Sequence, residues 1–518
     1  MVILSILLLA QAAGPHSCLP CHPQQVAGFA GTGMGNSLGR PARHSSGIVS
    51  HPASGSRFAI TAAGPALRHR IERGGLGAEY PVQYFIGSGH QGHSYLVRNG
   101  PYLFQSPVSY YSRRKAWDLS PGYQGDPNPD FNRPVTPECL FCHAGRARPV
   151  PGTLNRYEDP PFAAEAINCD RCHGPAENHL AQPSSRNIVN PAKLPPPARD
   201  SVCEQCHLSG EARIPNPERG IQEFEPGRAL EGIFAVYVFD RPPGAPEKKT
   251  IKVVSHTEQL AASVCARSSG ARMWCGVCHD PHEKPANAQQ HYRQKCLACH
   301  GAALLERHSH PAGDCVTCHM LRRPTEVAHT SYTDHQILRR PEAAAEAAPR
   351  RKLAAWREPP AAFAVRNLGL ASIAIGERDH SAEHLNEGYR LLLEARRSFP
   401  DDPEVLTSLG LALVRQKAPR QAIRLFEQSL QRQPGQARHH FNLAAAWKEA
   451  GEGSRAIPYL DRAIELDPSL EQAYYLLAEI YTQANQPAQQ RQTLERYLQF
   501  MPQSINARLA LTRQGTVR

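Results

Sequence analysis

The chain has fifteen cysteines and none lies beyond Cys318. Whatever chemistry the thiols support is therefore confined to the first two-thirds of 518 residues. Long apolar runs free of charge are also missing after the first residues, which excludes an internal membrane-spanning helix. No basic run is interleaved with aromatics, so the formal charge of +11 gives nucleic-acid binding no footing. Methionine is scarce, with five in all, and only Met34, Met273 and Met320 fall mid-chain. A thioether as metal ligand is thus restricted to very few positions, of which Met34 is the best placed; packing in a Gly-rich loop is its other reading.

Against these absences stands one repeated pattern, Cys-x-x-Cys-His, which occurs seven times and uses fourteen of the fifteen cysteines. The copies are Cys18/Cys21/His22, Cys139/Cys142/His143, Cys169/Cys172/His173, Cys203/Cys206/His207, Cys275/Cys278/His279, Cys296/Cys299/His300 and Cys315/Cys318/His319. Two thiols three positions apart can reach both vinyl groups of one haem, and the adjoining imidazole then falls under the iron. Zinc knuckles need such pairs two by two and do not require the histidine. Structural disulfides would not repeat one local spacing so strictly. The expectation is seven covalently bound c-type haems, with the fourteen cysteines as attachment points and the seven motif histidines as iron ligands.

Residues 2–9 form an apolar run ending in Ala10-Gln11-Ala12-Ala13, which reads as a secretory h-region with an Ala-x-Ala cleavage site, although no Lys or Arg precedes it. Residues 1–13 are expected to be a signal peptide, with a retained N-terminal anchor as the alternative. If each haem brings two propionates and one ferric charge, the oxidised holoprotein would sit near about +4 and the reduced one near about −3. Much of the Lys and Arg excess is then there to neutralise propionates.

The sequence divides into four parts. After the signal comes a haem domain, residues 14–340. Between its first and second motifs, Pro81–Ile86 and Ser94–Val97 read as strands, and Asn99-Gly100 supplies a hairpin turn before Tyr102-Leu103-Phe104. This stretch is expected to be a small β-rich cover, followed by crowded motifs with little regular structure. Residues 341–360, rich in Ala, Arg and Pro, read as a linker. From 361 to 518 a period takes over. Pro400, Pro434, Pro468 and Pro502 are thirty-four residues apart, the length of a tetratricopeptide repeat. Leu409-Gly410, Leu443-Ala444 and Leu477-Ala478 take the packing position of the first helix, Ala422 and Ala456 the small position of the second, and Phe426, Leu460 and Leu494 a large one. A fourth, earlier unit from Leu368 to Pro400 fits if its inter-helix loop near 376–381 is enlarged. The fold class is thus mainly α: a multihaem domain with a β-rich N-terminal part, then an α-solenoid. His439-His440 reads as solvated helix surface.

What fills the sixth position of each iron decides between electron transfer and reactivity. The region before the linker holds fourteen histidines outside the motifs, twice the number needed. His282, in Cys-x-x-Cys-His-Asp-Pro-His, must reach a neighbouring haem, and His179 stands in a similar relation to the third motif. His256, His310, His329 and His335 follow as distal ligands, and His51 and His90 would bring in the N-terminal cover; for each, a surface or hydrogen-bonded histidine is the plain alternative. Cys265, the leftover thiol, is open between a haem ligand, a substrate-facing nucleophile, an intermolecular disulfide partner and a small buried residue.

The segments Gly31-Thr32-Gly33-Met34-Gly35, Gly87-Ser88-Gly89-His90, Cys139-Leu140-Phe141-Cys142-His143, the Cys-x-x-Cys-His-Asp-Pro-His stretch and Thr333-Asp334-His335 resemble exported multihaem cytochromes fused to tetratricopeptide repeats. These look related to the tetrahaem cytochrome of hydroxylamine oxidation and, more distantly, to the multihaem nitrite reductase and hydroxylamine oxidoreductase group. The resemblance covers most of residues 18–340 and implies close-packed haem pairs, mostly His/His ligation, electron transfer, and a periplasmic or otherwise extracytoplasmic address. The lysine-ligated variant Cys-x-x-Cys-Lys of nitrite reductases is absent. The expected function is a periplasmic electron carrier whose repeat domain docks a redox partner. The alternative is an oxidoreductase acting on a small nitrogen or sulfur compound at one open haem.

Overall fold

The computed structural model describes residues 15–41, 44–64, 66–240, 250–301, 303–306, 308, 313–338 and 352–515. The signal-peptide reading of residues 1–13, His310, and residues 341–351 of the expected linker lie outside them.

The β-rich part is larger than the sequence suggested. An antiparallel meander runs β1 Gly47–His51, β2 Ser56–Ala63, β3 Ala66–Arg73, β4 Leu76–Ile86, β5 Gly92–Asn99, β6 Tyr102–Tyr111 and β7 Ala116–Leu119; Leu38–Gly39 and Arg133–Pro134 complete a nine-stranded sheet. The strands alternate as a half-buried sheet must: in β2, Ser56, Phe58 and Ile60 point inward while Arg57 and Thr61 face out. On the outer face Arg57 pairs with Glu72 and Arg68 with Glu79 across adjacent strands. The β3–β4 turn is Gly74-Gly75, both at positive φ, as a two-residue hairpin loop requires. The expected strands 81–86 and 94–97 fall inside β4 and β5, and Gly100 turns the chain into β6 at φ +55°.

The motif region is different in kind. Its helices are short, and six are built on the motifs themselves: Pro137–His143, Asp170–His173, α1 Pro196–His207, Cys275–Cys278, α2 Ala288–His300 and Cys315–His319. Helical spacing sets the two cysteines of a motif on one face. The first motif departs from this pattern, because the helical turn Pro15–Cys18 ends at its first cysteine and Cys21 lies in the turn that follows. Asn287 caps α2 by accepting from Gln290 N, and Asp314 caps the last motif by accepting from Val316 N. Yet α2 buries none of its 13 residues, and among the described residues from 252 to 338 no hydrophobic side chain is buried. A stretch of that length needs an apolar body to fold around.

The C-terminal region is a solenoid of paired helices: α3 Ala364–Arg378 with α4 Ala382–Ala395, α5 Pro403–Arg415 with α6 Pro419–Arg432, α7 Ala437–Glu449 with α8 Gly453–Leu466, α9 Glu471–Gln483 with α10 Pro487–Phe500, then α11 Ile505–Gly515. Ala422, Ala456, Phe426, Leu460 and Leu494 are all buried, as the period required. The first unit is longer than its successors, but not through an enlarged inter-helix loop. Its first helix has 15 residues against 13 in the next unit, and the rest of the excess lies in the connection to α5. His439 and His440 are a second correction. They are 6% and 9% exposed, because this face of α7 packs on the preceding repeat; His440 Nε2 lies 3.0 Å from the Pro434 carbonyl.

The two regions are not joined as beads on a string. Residues 353–355, read as linker, form the edge strand β10 of a three-stranded sheet with β8 Ala212–Pro215 and β9 Phe234–Phe239. The solenoid grips the remainder at both ends. At α3, Arg366 donates to Pro215 O (2.9 Å), Asn367 to Asn216 Oδ1 (2.8 Å) and Arg378 to Glu211 Oε2 (2.9 Å). At the far end the last repeats seat on the β-rich part: Leu154 N, in the loop before Tyr157, donates to Asp467 (2.8 Å), Asn99 of the meander to Phe500 O (2.5 Å) and Arg508 of α11 to Gly77 O (2.9 Å). Phe58, Ile71 and Tyr80 of the sheet share one core with Leu443, Tyr474 and Ile505 of the repeats.

Candidate haem centres

Among the described residues, five of the seven motif histidines face a histidine from outside the motifs. Ring centroids are 6.4 Å apart for His22 and His179, 5.9 Å for His173 and His282, 5.6 Å for His207 and His256, 6.2 Å for His279 and His335, and 6.0 Å for His319 and His308. Two imidazoles on opposite sides of one metal, each bonded at about 2 Å, would have centroids on the order of 6 Å apart. In the first two pairs the rings are also within 21° of parallel. By contrast, His44 and His93 make a direct contact, Nε2 to Nδ1 at 3.2 Å.

The second ring nitrogen is held in most of these histidines. Nδ1 of His173 meets Val189 O at 2.7 Å, that of His319 meets Leu338 O at 2.7 Å, and that of His335 meets Thr333 O at 2.9 Å. His179 Nδ1 uses Ser184 O at 3.0 Å, His282 Nδ1 uses Asp280 Oδ1 at 3.0 Å, and His279 Nδ1 lies 3.2 Å from the Tyr292 hydroxyl. An Nδ1–H donated in this way fixes the ring and leaves the Nε2 lone pair for a metal. The Asp-Pro-His sequence thereby gains a mechanical reason, since Asp280 also accepts from His282 N at 2.9 Å. Burial pushes His173 and His335 down and His256 to about 3, so these rings are neutral, the form that ligates. A buried ion pair, Arg323 Nε to Asp334 Oδ2 at 2.9 Å, fixes the residue before His335, and Gln259 accepts from His335 N.

The partners come from other motifs' sequence neighbourhoods, so the motifs interleave. His179 follows the third motif and faces the first; His282 follows the fifth and faces the third; His335 follows the seventh and faces the fifth. Thiols of different motifs also meet: Cys18 with Cys169, Cys142 with Cys206, Cys203 with Cys275, and Cys296 with Cys315. All fifteen cysteines are free. Among the described residues no three His, Cys, Asp or Glu side chains converge as a zinc knuckle would require. A pair of thiols with two opposed imidazoles fits a haem, and between residues 252 and 338, where no hydrophobic side chain is buried among the described residues, such a group would supply the missing apolar body.

The fourteen motif cysteines are not equally enclosed. Cys21, Cys139, Cys299 and Cys318 are exposed, whereas their motif partners Cys18, Cys142, Cys296 and Cys315 are half-buried, as are both thiols of the third, fourth and fifth motifs. Cys21 lies in the turn that follows the helical turn Pro15–Cys18, and its N donates to Cys18 O at 3.2 Å. His22, next in sequence, is exposed as well and faces His179 from there.

Several expected ligands stand elsewhere. His51 is buried in the meander with Nδ1 on Ser54 Oγ (2.7 Å) and Nε2 near Gln124 O (3.2 Å). His329 is held by Asp118 Oδ2 at 2.7 Å and by Arg114. His90 is exposed. The residue overlooked is His308, two positions before the favoured His310 in Arg307-His308-Ser309-His310; the doubled histidine was the available signal. His143 is half-buried, pushed down by burial, and among the described residues faces no second imidazole. Its carbonyl accepts from Ser37 Oγ at 2.7 Å, and Ser37 N donates to Met34 O at 3.1 Å, which brings the Met34 turn beside the second motif. His300 ends α2 and is exposed. Cys265 is half-buried near Cys278 and Cys299, and burial pushes its thiol up, against an activated nucleophile.

Comparison with known proteins bears on the solenoid. Residues 381–437 and 407–471 match one tetratricopeptide repeat family, and residues 448–513 match another. The C-terminal region is therefore a tetratricopeptide repeat solenoid, a fold that generally mediates protein–protein contact. Among solved structures, MamA is 23% identical over 26% of this chain and 78% of its own, with a TM-score of 0.24. MamA from Desulfovibrio magneticus RS-1 is 23% identical over 29% of this chain and 81% of its own, with a TM-score of 0.25. No curated protein matches the chain. No helix among the described residues is long and apolar enough to cross a membrane.

Proposed function

We propose that this chain is an exported multihaem c-type cytochrome that passes electrons along its covalently bound haems. The observation that carries this reading is the set of five imidazole pairs, each joining a motif histidine to one outside the motifs at 5.6–6.4 Å. Haem, when bound, supplies a one-electron couple at each iron. The protein's own part is to anchor through paired thiols, to present neutral Nε2 atoms on both sides, and to hold those rings through Nδ1. Paired imidazoles leave no open position, which suits a carrier. Interleaving of the motifs suits it too, because neighbouring thiols place successive groups side by side. The solenoid braces this region with its inter-repeat loops and its first helix, so a redox partner would dock on the helix faces left free.

A second reading, an oxidoreductase acting on a small nitrogen or sulfur compound, is favoured at His143 and His300, the two motif histidines that face no second imidazole among the described residues. Electron paramagnetic resonance of the oxidised holoprotein tests both readings. The carrier reading expects low-spin signals throughout, with His282→Ala converting one low-spin centre to high-spin while the haem content stays unchanged. An unchanged spectrum in His282→Ala would overturn the paired assignment, and a high-spin signal in the wild type that shifts on adding nitrite would favour the second reading.

A further inference from the structure

Where the last repeats meet the meander, a cleft of about 440 Å³ opens between the loop 126–132 and helices α9 and α11. Its polar lining is Asp126, Asn128, Asn132, Glu471, Tyr475 and Asn506, and among the described residues no Lys or Arg contributes to it. We infer that this cleft is a binding site for a cationic group, a primary ammonium, presented by a small diamine or by a lysine side chain.

The chemistry converges on Glu471. Its Oε2 accepts from Asn132 Nδ2 at 2.6 Å, but its Oε1 and the Tyr475 hydroxyl are buried without a well-directed hydrogen-bond partner, although the Tyr475 and Tyr497 hydroxyls approach the carboxyl. Buried acceptors left in that state cost free energy, and a donor entering the cleft would recover it. Burial, and then the neighbouring Asp130 carboxylate, holds the Glu471 carboxyl up at about 7. A cation at the cleft would offset both causes. The cations already nearby are committed elsewhere: Arg73 to Pro129 O and Asn506, and Arg508 to Gly77 O. An ammonium carries three donors and no acceptor, which matches a wall of carboxylate, amide and hydroxyl oxygens. The site is particular to the last repeats. One period earlier, the positions of Glu471 and Tyr475 are Ala437 and Phe441, which carry no charge.

Isothermal titration of the full-length holoprotein tests the inference with two probes, cadaverine and an N-acetylated tetralysine amide, at matched ionic strength. One saturable site per chain is expected for at least one probe, weakened tenfold or more by Glu471→Gln and by Asp126→Asn. The second variant changes a half-exposed residue and keeps the test valid if the first disturbs folding. Glu495→Gln, an exposed carboxylate on α10, should leave binding unchanged. Binding of cadaverine alone assigns a free amine, and binding of the peptide alone assigns a partner's lysine. Binding of neither probe, or equal binding by Glu471→Gln, Asp126→Asn and the wild type, would overturn the site.

Discussion

Replacing Arg366 by Met should loosen the first repeat from the motif region, and the structure sets the size of the effect. Arg366 and Asp402 are 3% and 7% exposed at the side chain, and they pair in bidentate fashion, Nε to Oδ2 at 2.7 Å and Nη2 to Oδ1 at 3.3 Å. The guanidinium also donates to Pro215 O, and through that carbonyl α3 is tied to β8, which follows the fourth motif. Arg366→Met keeps most of the aliphatic volume but strands a buried carboxylate, which typically costs about 3–5 kcal/mol. Asp402 would retain the amides of Glu404 (2.9 Å) and Val405 (3.1 Å), because it caps α5. That residual stabilisation places the expected loss near the low end, about 3 kcal/mol. Adding Asp402→Asn removes the stranded charge while preserving a good cap, so the double variant should recover about 1–2 kcal/mol. Urea midpoints at constant slope measure both effects. A loss below about 1 kcal/mol in Arg366→Met, or no recovery in the double variant, would refute the role given to this pair.

Two further predictions rest on single residues. Glu471 has its folded value raised to about 7 from an ordinary 4.5, so the folded state binds the extra proton between these limits. Stability should therefore fall as pH rises from about 4.5 to about 7 and level off above, by at most about 3 kcal/mol; Glu471→Gln should lose that slope in urea titrations at pH 5 and 8, and an identical slope in the variant would count against it. Gly410→Ala places a Cβ 2.5 Å from Phe426 Cε1, whereas Gly435→Ala meets nothing within 4 Å; the first should lower the melting temperature, with an overpacking cost of about 1–3 kcal/mol, and the second should leave it unchanged.

What could be read from the sequence was local or strictly periodic. Cys-x-x-Cys-His carries its chemistry in five consecutive residues, the thirty-four-residue period returns the same small and large positions, and Asn99-Gly100 marks its own turn. Even so, the five-residue pattern does not disclose which thiol faces out: Cys21 is exposed where Cys172 is half-buried. Distal partners were harder because their selection is non-local. His329 looked available until Asp118, 211 positions away, took its Nε2, and His308 differs from His310 only by two places along a segment with no periodicity. His439 and His440 were misread because no pattern within α7 discloses which face the preceding repeat covers. The shared core was invisible for the same reason: Asn99 meets Phe500 across 401 residues. Interface residues such as Asp467 and Asn506 look like ordinary polar groups until the loop at Leu154 and the strand of Arg73 arrive against them.

The central claim is that paired imidazoles close most of the haem irons, and near-infrared magnetic circular dichroism of the oxidised, haem-quantified holoprotein tests it most directly. The account predicts seven covalent haems per chain, at least five of them with the charge-transfer band of bis-imidazole ligation. A preparation without covalent haem, or one in which fewer than five haems show that band, would contradict it.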